Sequence, residues 1–307
     1  MKASYRTQYG LMYCASIENF LKTTQGRNCK GKVQLLFTSP PFPLNRKKRY
    51  GNKTGEEYLQ WMADFGPIFR DLLTPTGSIV IEVGNAWESG SPTMSTLALR
   101  SLLGFLDRGR LHLCQQFICH NPARLPTPAQ WVTIERIRVK DSFTHVWWMS
   151  ATERPKANNR NVLTEYSAAM KQLLKRQKYN AGTRPSQHVI KDTSFLTHNA
   201  GAIPPSVLTL ANTRSNSPYQ EYCRENDLPL HPARMPIGLA DFFIKFLTDP
   251  GDLVLDPFGG SNTTGQAAEE RNRKWISVER MDQYVAASRG RFKKFNLDGP
   301  ARGTLHE

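Results

Sequence analysis

The chain has 307 residues, with 41 Lys+Arg against 26 Asp+Glu and a formal charge of +15. Hydrophobic residues make up 39%, enough for a packed core, which excludes wholesale disorder. No apolar run approaches the roughly 18 residues of a membrane span, and the N-terminal MKASYRTQYGLMYC has no apolar stretch of the secretory kind. Five cysteines (Cys14, Cys29, Cys114, Cys119, Cys223) form no CxxC pair, which argues against a disulfide framework or a zinc cage. His112, His120 and His145 lack metal-ligand spacing, so no metal is expected. The composition is that of a cytoplasmic protein in a reducing compartment. The cationic excess makes a polyanion the leading partner, because Lys and Arg neutralise phosphates and release counterions. A basic but unspecialised surface is the bland alternative.

In chain order, Val33-Gln34-Leu35-Leu36-Phe37 reads as a short buried strand that stops at Thr38-Ser39-Pro40-Pro41-Phe42. Thr54-Gly55-Glu56-Glu57 has the form of a capping box. Tyr58, Trp61, Met62, Phe65, Phe69 and Leu72 then follow at helical spacing. Pro75-Thr76-Gly77 turns into a second buried strand, Ser78–Val83, with Glu82 near its C-terminal end. Strands alternating with helices predict parallel crossovers in an open α/β sheet. From about 151 to 230 the periodicity weakens and basic and turn residues dominate, which suggests an inserted recognition region. A long decorated loop would look similar. Ile237 to Leu247 restores a helix, and Pro250-Gly251-Asp252 turns into the strand Leu253–Asp256. A helix from Gln266 and a strand ending at Glu279 complete the pattern, and 296–307 reads as a flexible tail.

Two segments carry chemistry. The first is Leu253-Val254-Leu255-Asp256-Pro257-Phe258-Gly259-Gly260-Ser261-Asn262-Thr263-Thr264-Gly265. An acid at a strand end, paired glycines and a helix N-terminus suit a nucleoside-type cofactor, since glycine lets backbone approach closely. The segment is neither GxGxxG nor a Walker loop, which disfavours a dinucleotide or ATP phosphate. Glu279, at the end of the next strand, stands where a carboxylate can accept from ribose hydroxyls. The second is Thr38-Ser39-Pro40-Pro41-Phe42. Its prolines remove two donors, leaving carbonyls and the Ser39 hydroxyl as acceptors for an exocyclic amine beside the flat face of Phe42. A plain strand-terminating loop is the competing interpretation.

Together TSPPF and DPFGGSNTTG, in that order, resemble the amino-methylating DNA methyltransferases of the permuted β class. An SPPF core is similar to the cytosine-N4 branch, in particular the PvuII-type modification enzymes of restriction–modification systems. RKKRYGN, NPARLPTPAQW, VWWMSATERPKANNRNVL and HPARMP extend the likeness over about residues 11–292. The resemblance implies a Rossmann-like α/β fold: a doubly wound, mostly parallel sheet. Its halves would be a catalytic one at 1–150 and a cofactor-binding one at 231–295, with target recognition at 151–230. It implies transfer of a methyl group from S-adenosylmethionine to cytosine N4 in duplex DNA, with base flipping and a restriction endonuclease as functional counterpart. Ser39, Pro40, Pro41 and Phe42 would hold the base. Asp256, Phe258, Gly260, Ser261 and Thr263 would line the cofactor pocket, with Glu279 on the ribose and His231-Pro232-Ala233 over the methionine end. Asn262 replaces a glycine of many relatives, and Cys14-Ala15 replaces Gly-Asp.

Arg46, Lys47, Lys48 and Arg49, beside the catalytic loop, are expected to contact phosphates, although a solvated face has the same composition. No Pro-Cys dipeptide occurs, so a thiolate nucleophile of the cytosine-C5 type is not expected. Glu82 is expected to orient Ser39 or to take the amine proton; satisfaction by local backbone groups is the alternative. Adenine-N6 methylation, a non-catalytic DNA-binding role and an RNA substrate are the competing functions.

Overall fold

Strands β1 (Tyr5–Arg6) and β2 (Gly10–Cys14) pair antiparallel. Ser16 and Thr23 then cap α1 (Ile17–Leu21) and α2 (Thr24–Arg27) through their hydroxyls. The run Val33–Thr38 is β3, buried along its whole length. In this computed structural model residues 1–42, 53–211, 216–295 and 297–298 are described.

Helix α3 (Gly55–Leu72) buries Tyr58, Met62, Phe65, Phe69 and Leu72 at the expected spacing. The capping box expected at Thr54–Glu57 does not form: Thr54 makes no side-chain cap bond, and Glu57 pairs with Lys53 at 2.6 Å. Strand β4 (Leu73–Gly84) starts earlier than the expected Ser78. Val33 pairs with Leu73 and Leu35 with Ser78, so Pro75-Thr76-Gly77 bulges out within the strand instead of preceding it. Helix α4 (Leu97–Gly109) and strands β5 (His112–His120) and β6 (Phe143–Ser150) follow.

Contacts divide the chain into two compact units, Met1–Ala157 with Ser206–Glu307, and Asn158–Pro205. The second contains α5 (Ala168–Arg176) and the antiparallel pair β7 (Gly182–Thr183) and β8 (Val189–Ile190). It is narrower than the 151–230 segment of the sequence reading. Before it, the Lys156 ammonium pairs with Asp249 and Asp252, each at 2.7 Å, within the first unit. After it, β9 (Val207–Thr209) joins the main sheet beside β5. Helices α6 (Pro218–Glu225) and α7 (Ile237–Leu247), strand β10 (Leu253–Asp256), α8 (Thr263–Glu270), β11 (Lys274–Glu279) and α9 (Asp282–Ser288) complete the first unit.

Among the described residues the main sheet has the order β1-β2-β11-β10-β3-β4-β6-β5-β9. Strands β2, β11, β10, β3 and β4 are parallel, and β6 runs antiparallel between β4 and β5. Side chains alternate between the two faces of the buried strands. Leu36, Ile79, Ile81 and Trp147 pack with α1, α3 and α4, whereas Leu35, Phe37, Val80 and Trp148 pack with α7 and α8. This is the expected doubly wound, mostly parallel α/β sheet. From β10 the chain winds one way to β11, and from β3 it winds the other way to β4. The order therefore reverses between β10 and β3, and the loops leaving their C-terminal ends diverge to open a crevice.

Candidate active site

Both motif loops leave the sheet at this reversal. The Thr38 hydroxyl, at the end of β3, donates to Asp256 Oδ1 at 2.7 Å, at the end of β10. Thr264 Oγ1 donates to the other carboxylate oxygen at 2.6 Å, and the Phe258 amide to Oδ1 at 3.1 Å. Asp256 is thus a buckle: one buried carboxylate fixes the catalytic loop, the glycine loop and the first turn of α8. Burial pushes its pKa up to about 6 despite these donors. A raised folded pKa means that its stabilising contribution is complete below the unfolded value of 3.8 and is lost as pH rises through about 6. Asp256→Asn, which does not titrate, should gain on the wild type by up to about 3 kcal/mol between pH 4 and 7. Melting temperatures of the two proteins across that range check this; a constant difference would mean the donors fully compensate the charge.

The glycine loop uses an asparagine where many relatives have glycine. Asn262 adopts the left-handed conformation, φ 58°, that asparagine tolerates better than most residues. Its buried amide repays this: Oδ1 accepts from Gly265 N at 3.0 Å and Ser277 Oγ at 2.7 Å, and Nδ2 donates to Tyr5 at 2.9 Å. Arg291, half-buried, donates to the Ser261 carbonyl and to its hydroxyl, the latter at 2.7 Å, which fixes the loop.

Beyond these loops lies a cavity of about 230 Å³. Ser39, Pro40, Pro41 and Phe42 form one wall, and His231, Phe258 and Glu279 contribute to the others. Asp256, Gly260, Ser261, Thr263 and Pro232 do not line it; the first four act behind the wall, and Pro232 is exposed. Ala233, expected beside His231, lines it too, and so do Ile17, Trp61, Met281 and Tyr284, whose sequence pattern pointed to helix faces or nothing at all. Trp61 and Phe258 stack at a tilt, ring centres 5.5 Å apart. Arg46, Lys47, Lys48 and Arg49 lie outside the described residues. Among the described residues no cluster of His, Cys, Asp or Glu could hold a metal, and no helix is long and apolar enough to cross a membrane.

Glu279 Oε2 accepts from Gly260 N and Oε1 from Met281 N, both at 2.9 Å. The Arg280 amide is a third backbone donor to this carboxylate, which leaves about one of its four lone-pair sites for a ligand hydroxyl. Burial raises the pKa of Glu279. His231 Nδ1 lies 2.7 Å from the Ala233 carbonyl, so that nitrogen carries the proton and Nε2 is the bare acceptor. Burial, with Arg291 and Arg234 nearby, lowers the His231 pKa and keeps the ring neutral.

On the catalytic side, Ser39 hydrogen-bonds to Glu82, which also accepts from Thr144 Oγ1 at 2.9 Å. Burial raises the Glu82 pKa, and these hydroxyls oppose the shift. The Phe42 ring lies on Gly84, where an added Cβ would come within 2.4 Å of it. A side chain at 84 would therefore evict the ring.

A cavity at the switch point of such a sheet, walled by a loop of acceptors, is the arrangement of a Rossmann-like methyltransferase. A family model described as DNA methylase matches residues 33–289, and the chain belongs to that family. It is 42% identical to the type II methyltransferase M.PvuII of Proteus hauseri over 298 residues, 96% of this chain and 87% of that protein. The solved structure of the PvuII DNA methyltransferase (cytosine-N4-specific) matches with TM-score 0.75 and 38% identity, covering 95% of this chain and 89% of that one. The M1.HpyAVI–SAM complex shares the fold alone, at TM-score 0.51 and 19% identity over 92% of this chain and 98% of that one.

Proposed function

We propose that this chain transfers a methyl group from S-adenosylmethionine to the N4 amino group of cytosine in a specific duplex DNA sequence. The observation that carries the mechanism is the Ser39–Glu82 hydrogen bond beside a cavity whose far wall holds Glu279. The cavity fits the donor: Glu279 keeps an acceptor site for a ribose hydroxyl, and Ile17, Trp61 and Phe258 offer apolar surface to a purine. When bound, S-adenosylmethionine supplies an electrophilic methyl group.

The cytosine amine is a poor nucleophile because its lone pair is delocalised into the ring. Acceptance of its hydrogens by Ser39 Oγ and the Pro40 carbonyl favours a pyramidal nitrogen with the lone pair free. Methyl transfer is then a direct displacement promoted by orientation, with no covalent enzyme intermediate. The amine is buried in the stacked duplex, so the cytosine is flipped out and Phe42, backed by Gly84, replaces its lost stacking. Glu82 holds the Ser39 hydroxyl in place and accepts the proton released after attack, directly or through water.

Residues 158–205 supply sequence recognition, with the exposed Arg160, Lys175, Arg176 and Lys178 available to phosphates. Arg46–Arg49 add phosphate contacts, and a restriction endonuclease of the same specificity is the functional counterpart. Base-resolution sequencing of DNA from cells expressing the protein tests the whole proposal. N4-methylcytosine at one recurrent sequence is expected; N6-methyladenine, or no modification, would overturn it.

A further inference from the structure

Strands β5 and β6 are antiparallel neighbours, yet residues 121–142 separate them, far more than the roughly 2–5 residues a hairpin needs. A connection this long in a compact unit is seldom idle. This one leaves the catalytic edge of the sheet. Its ends are the paired residues His120 and Phe143; the next residue, Thr144, pairs with Gly84, the glycine that carries the Phe42 ring.

The loop is held at its base. Asn85 Nδ2, one residue past β4, donates to Asp141 Oδ1 at 2.9 Å and to the Phe143 carbonyl at 3.3 Å. Arg124 Nη1 donates to the same carbonyl at 3.0 Å, and Lys140 Nζ to the Pro122 carbonyl at 3.0 Å. Farther out, the amides of Ile137 and Arg138 both donate to the Trp131 carbonyl, at 3.0 and 3.1 Å. Such internal bonding gives the loop a fixed shape.

Its outer part shows the opposite of what a solvated loop should show. Ile134 is 68% exposed, Ile137 48% and Val139 87%. A free loop gains nothing from β-branched apolar residues in water. Interleaved with them are Arg136, Arg138 and Lys140, all exposed, against Glu135, which is bonded to Gln130. Apolar tips set among cations do not suit a second copy of this chain, itself charged +15. They suit a polyanion with an apolar interior, which is a duplex.

We infer that residues 121–142 form a wedge that enters the duplex beside the target cytosine, its apolar tip occupying the space the flipped base leaves. Arg136 and Arg138 hold the neighbouring phosphates. The inference rests on the proposed methyltransferase function and adds to it the element that holds the gap open.

The test uses the full chain and two duplexes carrying the sequence mapped in cells, one fully paired and one with an abasic site opposite the target cytosine. A base that has already lost its partner costs less to extrude. The triple variant Ile134→Ser, Ile137→Ser, Val139→Ser should methylate the paired duplex at least about tenfold more slowly in single turnover. On the abasic duplex it should recover to within about threefold of the wild type. The variant Arg136→Gln, Arg138→Gln should lose affinity equally on both duplexes, with a flatter log–log salt slope. Calorimetry with S-adenosylhomocysteine, expected unchanged in both variants, reports that the cofactor half remains folded. Wild-type rates for the triple variant on the paired duplex, or an equal defect on both duplexes, would overturn the wedge while leaving the methyltransferase function standing. A wild-type protein that modifies neither duplex would overturn both.

Discussion

Ser39→Ala should lower single-turnover methylation by about 100- to 10,000-fold while DNA and cofactor binding stay within a few-fold of wild type. The variant removes the acceptor for one amine hydrogen and the link to Glu82, but no part of the base-stacking or cofactor surface. Glu82→Gln should fall in the same range, because an amide takes up no proton and offers a single acceptor oxygen to the two hydroxyls, of Thr144 and Ser39, that the carboxylate holds. The pH dependence separates a relay from a merely structural carboxylate. Burial raises the Glu82 pKa, with the Thr144 and Ser39 hydroxyls pulling it back. Below that pKa the acid already carries a proton and cannot take up the one released from the amine, so the wild-type rate should drop at a pH above the ordinary carboxylate range. Glu82→Gln should lose this acid limb altogether. A Glu82→Gln rate equal to wild type from acid to neutral pH would sink the relay and leave solvent as the proton acceptor.

That pair was accessible from sequence because each partner sits at a strand terminus. Val33–Thr38 announces a buried strand by a short run that is apolar but for Gln34 and the closing Thr38, and Pro40-Pro41 announces where the strand must stop. Glu82 is an acid near the end of the next buried strand, and parallel neighbours present their C-terminal ends on one edge. Other parts were hidden for physical reasons. Trp61 and Ile17 fall on helical apolar patterns, which are the same whether a side chain faces a sealed core or a cavity wall. Asp256 shows the converse. A carboxylate ahead of a glycine loop suggests a ligand, but its direction depends on donors far apart in sequence, Thr38 and Thr264, and these turn it inward. The contact between Gly84 and Phe42 needs β3 and β4 already paired before it exists. The Thr54–Glu57 capping box failed for a local reason, since Lys53 provides Glu57 with an ionic partner.

Glu279→Ala should weaken S-adenosylhomocysteine binding by about 10- to 100-fold, as measured by calorimetry. A charge-assisted hydrogen bond is worth about 1.5–3 kcal/mol, and the carboxylate has a site left to accept one from a ribose hydroxyl. The same substitution orphans the Gly260 and Met281 amides, which Glu279 now holds at 2.9 Å, and the Arg280 amide beside them. Loss of affinity alone therefore does not separate ribose recognition from a slackened loop. A ligand lacking the 2′-hydroxyl makes that separation. It should bind wild-type protein at least about tenfold more weakly than the parent ligand, yet bind Glu279→Ala almost as the parent does, since the partner of that hydroxyl is already gone. Burial raises the Glu279 pKa, so wild-type affinity should also fall as pH drops toward that value, and Glu279→Ala should not follow. If the deoxy ligand loses as much affinity on the variant as on the wild type, Glu279 braces the glycine loop and the ribose is held elsewhere.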